Sequence, residues 1–245
     1  MRVASSATLK RPHGQWCLSE SGGLHVPAAL RQVGRALLFA MLGIAAIVRV
    51  PWAFDAVRMQ DAAEHIGPQA AAEVPALQGL LRESSSLEDA AALVAVNAWF
   101  NRRIVFRADI EVWGLQDYWA SPLELLDKGQ GDCEDYAIAK YFSLLASGMP
   151  ANRLRLVYVR LLQGGDSQAH MVLAYYARPS AEPLILDSLV DEPRLASRRP
   201  DLTPVFSFNG EGIWHGTGPQ SAGDPLARLS PWRKVMAKAK AEGFF

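Results

Sequence analysis

GQGDCEDYAIAKYFSLLASG, residues 129–148, is the stretch on which the reading of the whole chain turns. Gly129 and Gly131 break the backbone, and from Asp132 onward the pattern is helical. Asp132 suits an N-cap, Glu134 and Asp135 fall in the first turn where acids favour the positive end of the helix dipole, and Gly148 supplies the stop. Apolar positions such as Tyr136, Ala139 and Leu144 cover most of the circumference, which predicts a central, buried helix. Cys133 therefore sits in the first turn of that helix. A sulfur there lies near the positive end of the dipole, beside backbone N–H groups free to hold an oxyanion. That placement suits acyl chemistry at a thiolate better than packing. Asp132, Glu134 and Asp135 act in the opposite sense, because negative charge raises a thiol pKa, so an imidazolium or a bound cation is expected to offset them.

Upstream of this helix the pattern is also helical. Asp61 to Arg82 is rich in Ala, Gln and Leu, with Pro68 and Pro75 expected to interrupt any single helix. Ser86-Leu87-Glu88-Asp89 reads as a capping-box start for a helix running to about Arg103. Ile104 to Trp113 alternates loosely, and Trp113, Tyr118 and Trp119 cluster in a loop that is a candidate region for a second oxyanion donor. SPLELLDK, opened by Ser121-Pro122, reads as a short helix with proline in its first turn. Downstream come strand-like runs: Leu154–Leu162, His170–Tyr176, and Leu184–Leu186 leading into Asp187, separated by the turn-rich GGDSQ and RPSAEP. PVFSFNGEGIW then carries Asn209-Gly210 between two aromatic-bearing runs, a hairpin signal. Helices first and an antiparallel sheet afterwards argue for an α+β fold.

His170 is expected at the opening of one strand and Asp187 at the end of the next. Adjacent antiparallel strands can then bring imidazole and carboxylate within hydrogen-bond reach, with Asp187 fixing the tautomer while the other ring nitrogen faces Cys133. Taken singly, His170 reads as a surface histidine and Asp187 as a turn former. The order Cys, His, Asp, each at the end of an element, is what points to a thiol–imidazole–carboxylate triad. Such a triad serves hydrolysis and amine transfer alike, and a silent module holding a peptide through Trp113, Tyr118, Trp119 and Trp214 would need none of it.

Charge is balanced at 25 basic against 25 acidic residues, but residues 1–52 hold six of the bases and a single acid, Glu20. The remaining 19 bases and 24 acids give a mildly acidic body, without the clustered basic footprint that nucleic acid requires. Two cysteines, Cys17 and Cys133, make no disulfide framework. ALLFAMLGIAAIV, residues 36–48, has Arg31 and Arg35 before it and Arg49 after it. It is short for a membrane span of about 20 residues but fits the apolar region of a secretory signal, cleaved or kept as an inner-membrane anchor, with a buried core helix as the alternative; residues 1–52 thus read as a leader and 53–245 as one catalytic domain.

SPLELLDKGQGDCEDYAIAKYFSLLASGMP, AHMVLAYY, LILDSLVD and PVFSFNGEGIW together resemble the bacterial transglutaminase-like cysteine proteases, specifically the LapG-type periplasmic adhesin proteases, over roughly residues 55–215. The resemblance implies a transglutaminase-like, papain-like fold with Cys133 as nucleophile, His170 as general base and acid, and Asp187 as the orienting carboxylate. It implies Ca²⁺ bound by the acids beside the cysteine, carried over to Asp132, Glu134 and Asp135. It also implies a periplasmic endopeptidase that cuts the N-terminal region of a large surface adhesin next to paired alanines, releasing it. An inner-membrane cyclic-di-GMP receptor that sequesters the protease is the second implied partner. The residues themselves agree on calcium rather than zinc, since hard oxygen donors in such density suit Ca²⁺ and zinc would want more His and Cys.

Overall fold

A computed structural model describes residues 54–245; the apolar run 36–48 and Cys17 lie outside them. Helix α1 (Ala56–Ile66) starts at Asp55, whose carboxylate accepts the Arg58 N–H at 3.1 Å. Pro68 separates it from α2 (Pro68–Ser84) by occupying the first position of that helix, where its missing N–H costs nothing. Pro75 does not interrupt, and α2 runs through it. Helix α3 (Asp89–Arg103) is capped by Glu88 rather than Ser86, whose hydroxyl instead donates to the Arg82 carbonyl, finishing α2.

The loosely alternating stretch becomes a two-residue strand β1 (Val105–Phe106) and a one-turn helix α4 (Asp109–Val112). Helix α5 (Pro122–Lys128) forms with the capping box its sequence announces. Glu124 N donates to Ser121 Oγ at 3.3 Å and Ser121 N to Glu124 Oε2 at 2.9 Å. Gly129, with φ of 61°, turns the chain out of α5 into β2 (Gln130–Gly131), which pairs in parallel with β1. Helix α6 (Cys133–Ala146) follows at once, and residues 135–144 are all buried, as its apolar circumference requires.

Seven strands form one sheet in the order β6-β5-β4-β3-β7-β8-β9. They are β3 (Leu154–Gln163), β4 (Asp166–Tyr175), β5 (Leu184–Asp187), β6 (Val190–Leu195), β7 (Leu202–Phe208), β8 (Ile213–His215) and β9 (Ser221–Gly223), every neighbouring pair antiparallel. The β3–β4 hairpin closes on Gly164 and Gly165, both at positive φ, with Gln163 opposite Asp166. Two glycines complete the turn, so the polar Asp166–Gln168 stays extended, and His170 lies inside β4 rather than opening it. At the β7–β8 hairpin, Asn209 Oδ1 accepts from Glu211 N and Gly212 N at 2.7 and 3.1 Å, a longer Asx-stabilised loop than the two-residue turn that Asn-Gly suggests. Helices α7 (Pro225–Arg228) and α8 (Ser230–Ala241) end the chain.

One sheet face packs on α6 through Met171, Leu173 and Leu186, and the fold is α+β as read from the sequence. Phe142 of α6, Trp232 of α8 and Phe208 of β7 anchor this core, with ring centroids 5.2–5.6 Å apart along the chain of contacts. Val157, Val159, Val172, Ala174 and Ile185 form a second cluster, against which Ala196 and Leu202 pack from the β6–β7 connection. That connection brings a charged side chain to Asp187.

Candidate active site

His170 pairs with Val159 near the middle of the β3–β4 ladder, and Asp187 ends β5, next to β4. His170 Nε2 and Asp187 Oδ1 are 2.8 Å apart, and both side chains are buried. Nε2 then carries the proton toward the carboxylate, which leaves Nδ1 as the ring nitrogen available to a reacting group. Leu189 N also donates to Asp187 Oδ1, at 3.1 Å, and Arg199 Nη1 lies 2.7 Å from Asp187 Oδ2. Burial works against an ionised Asp187, but the hydrogen bond and charge of His170, with Leu189 N and Arg199, bring its carboxyl down to about 2.

Two asparagines on α3 hold the turn that carries Asp187. Asn101 Nδ2 donates to the carbonyls of Asp187 and Val190 at 2.9 and 3.2 Å, and Asn97 Nδ2 to those of Val190 and Asp191 at 2.9 and 2.8 Å. The buried Lys140 of α6 donates to Asn101 Oδ1 at 2.7 Å, and its burial lowers its pKa to about 7. Lys140 and Asn101 thus link the cysteine-bearing helix to the aspartate-bearing turn, a connection no spacing in the sequence discloses.

Cys133 is half-buried at the first position of α6, where the sequence places it. Its Sγ donates to Glu134 Oε2 at 3.0 Å. Burial pushes the thiol well above its ordinary pKa, and the charge and hydrogen bond of Glu134 and the charge of Asp132 push it further, while the Met171 N–H acts against them. Burial and the neighbouring acids together thus oppose the partial ionisation expected of a helix-start thiol, which an added positive charge would favour.

Asp132 and Asp135 gather with two acids that the sequence reading left unassigned. Carboxylate oxygens of Asp109, Asp132 and Asp135 lie within 4.8 Å of one another, and those of Asp109, Asp117 and Glu134 do likewise. Each Asp135 oxygen accepts one backbone N–H, Oδ1 from Ala120 N at 2.8 Å and Oδ2 from Asp132 N at 3.3 Å, and keeps a further lone pair. Asp109 Oδ2 accepts from Tyr118 N, whereas Asp109 Oδ1 and Asp132 Oδ1 are buried without a hydrogen-bond partner among the described residues. Burial and mutual repulsion raise Asp109 to about 6 and Asp132 to about 8, and raise Asp135 as well. Buried, unpaired oxygens with such a deficit of positive charge fit a hard divalent cation. The signal for Asp109 and Asp117 is faint in the sequence, since Asp109 opens a one-turn helix and Asp117 lies in the loop after it, both well before the cysteine-bearing segment.

Cys133, His170, Asp132 and Glu134 open onto one cleft of about 410 Å³, walled by Trp119, Tyr158, Phe206 and Phe106. A nucleophile, an imidazole with its carboxylate, and a cation-ready acidic cluster share this cleft, which is the arrangement that acyl transfer through a thioester needs.

The protein-family model described as bacterial transglutaminase-like cysteine proteinase matches residues 76–199. Among solved structures, LapG of Legionella pneumophila is similar in three forms. The EGTA-treated form is 38% identical with a TM-score of 0.67, covering 76% of this chain and 97% of its own. A second LapG structure is 37% identical with a TM-score of 0.65 at the same coverage. The calcium-bound form is 38% identical with a TM-score of 0.64, covering 75% of this chain and 98% of its own. No curated protein sequence matches. With the family model spanning half of the chain, and LapG matched along nearly its whole length, the protein belongs to the bacterial transglutaminase-like cysteine proteinases, as the sequence resemblance implied.

Proposed function

We propose that the protein is an exported, calcium-dependent endopeptidase in which Cys133 attacks the scissile carbonyl, His170 moves the proton and Asp187 orients the imidazole. The observation that carries this reading is the 2.8 Å contact between His170 Nε2 and Asp187 Oδ1, beside the cleft that Cys133 lines. Nδ1 accepts the thiol proton and returns it to the departing amine, and water then resolves the thioester. Asp132 and Glu134, with Asp109, Asp117 and Asp135, hold the calcium ion. Bound there, Ca²⁺ supplies the positive charge that offsets the acids around the sulfur. The calcium-bound form of LapG supports the choice of metal.

Its substrate is a protein, as the family implies. By likeness to the LapG-type proteases, that protein is the N-terminal region of a large repeat adhesin, cleaved to release it and disperse a biofilm, with an inner-membrane cyclic-di-GMP receptor as the sequestering inhibitor. Export to the periplasm rests on residues 36–48, and a reporter active only outside the cytoplasm, fused at about residue 60, should be active. The direct test of function is to incubate the purified protein with the adhesin N-terminal region from the same genome and map the new terminus by mass spectrometry. Two fragments, abolished by Cys133→Ala, are expected; a mass increment joining two chains would indicate a transferase instead.

A further inference from the structure

Asp187 has two carboxylate oxygens and they are held in different ways. Oδ1 accepts from His170 Nε2 and Leu189 N. Oδ2 is buried and has no aligned hydrogen bond among the described residues; what faces it is the charge of Arg199, whose Nη1 lies 2.7 Å away as an ion pair. Arg199 is itself only 6% exposed. The other edge of its guanidinium is gripped by Asp201: Nε lies 3.0 and 3.2 Å from the two carboxylate oxygens, and Nη2 lies 2.7 Å from Oδ2. A planar guanidinium held along one edge by a two-oxygen grip can present Nη1 in only one direction. Asp201 is fixed in turn, because its carbonyl accepts Leu162 N at 2.9 Å at the end of β3.

We infer that Arg199, braced by Asp201, is a positioning residue that holds the Asp187 carboxylate at the angle at which it meets His170. The inference rests on the triad reading above. Neither residue reaches the cleft, and neither lies in a stretch that announces chemistry. The pairing also explains why two carboxylates accompany one arginine. Arg199 alone would cancel the charge of Asp187 and weaken its attraction for an imidazolium, whereas Asp201 returns one net negative charge to the trio. Geometry is thereby fixed without losing the charge that stabilises protonated His170.

The alternative is that Arg199 only ties the β6–β7 connection to the sheet, and the test must separate the two. The His170 Nε2–H proton, labelled with ¹⁵N, gives a low-field resonance when its hydrogen bond to Asp187 is fixed, and this is read together with kcat and KM on the adhesin N-terminal region. In Arg199→Met the resonance should broaden away and kcat should fall about 10²-fold with KM within about twofold, as expected for a misplaced catalytic group. Arg199→Lys keeps the charge without the fork, so it should recover kcat to within about tenfold of wild type. Asp201→Asn should keep the resonance and lower kcat several-fold, on the order of a modest loss of alignment. An unchanged resonance in Arg199→Met, or a loss confined to KM that Lys does not rescue, would overturn the inference. If Arg199→Met fails to fold, Asp201→Asn decides alone, and wild-type kcat in that variant would overturn the inference. The resonance needs no turnover, so it reads Arg199 even where an active Cys133→Ala variant had removed the triad reading itself.

Discussion

Chelation is the perturbation whose size follows most directly from the acidic cluster. An oxygen-rich site of this kind binds Ca²⁺ with a dissociation constant of about micromolar, in the range of sensor sites. At about 1 mM Ca²⁺ the folded state then gains about 4 kcal/mol by mass action. For a domain of this size that is a rise in Tm of about 8–16 °C over the EGTA-treated protein. The pH dependence carries the sign. Asp109 at about 6 and Asp132 at about 8 are both raised above ordinary carboxylates, so without metal the folded protein holds protons that the unfolded chain has released. Metal-free stability therefore falls as pH rises from the ordinary carboxylate range to about 8. Calcium must displace those protons, so its stabilisation grows over the same window. Going from pH 8 to pH 6 protonates Asp132 and half-protonates Asp109, weakening binding on the order of 10²-fold, or about tenfold once the partial exposure of Asp132 is allowed for. The Tm gain at pH 6 should be smaller than at pH 8 by about 3–6 °C. Calorimetry with Ca²⁺ or EGTA at the two pH values reads this, with Mg²⁺ as the control that should not substitute. Equal Tm with and without Ca²⁺, or a larger gain at pH 6, would rule out calcium at this cluster and return the carboxylates to capping roles.

Other outcomes follow from single contacts. Asp187→Asn should keep the fold and lower kcat by about 10⁴, since it leaves His170 in the wrong tautomer; a loss under about tenfold would reduce Asp187 to a turn residue. Gly131→Ala places a Cβ 2.6 Å from Asp135 Oδ2 and from Leu125, so it should displace the start of α6 and cost calcium affinity, read by titration calorimetry, more than it costs Tm in EGTA. Phe142→Ala, at a fully buried ring stacked on Trp232, should destabilise by about 3–5 kcal/mol in urea unfolding. Ser121→Ala removes half of a formed capping box and should cost about 1 kcal/mol by the same assay.

The buried helix with cysteine in its first turn, the α5 capping box and the antiparallel run that brings His170 to Asp187 were all legible, because each rests on local spacing. His170 lies within β4 and does not open it, for a physical reason: two glycines close the β3–β4 turn, so the strand already starts at Asp166 and the polar residues after the turn remain strand. Ser86 lost its expected cap to Glu88 because its hydroxyl bonds back to α2. What stayed illegible was long-range. Asn97, Asn101 and Lys140 read as ordinary helix residues until α3, α6 and the β5–β6 turn come together. Arg199 and Asp201 carry no pattern that singles them out, and Asp109 and Asp117 acquire meaning only when their carboxylates meet Asp132, Glu134 and Asp135. Sequence periodicity reports which face of an element is buried, not which distant polar group meets it there.

The central claim is that Cys133 becomes covalently acylated during turnover. Quenching the protein in acid while it cleaves the adhesin N-terminal region, then measuring intact mass and mapping the adduct, tests it directly. A thioester on the Cys133 peptide is expected, disappearing in His170→Ala and absent from an inactive Cys133→Ala variant. Cleavage by Cys133→Ala at the wild-type rate, with no adduct on the wild-type protein, would contradict it.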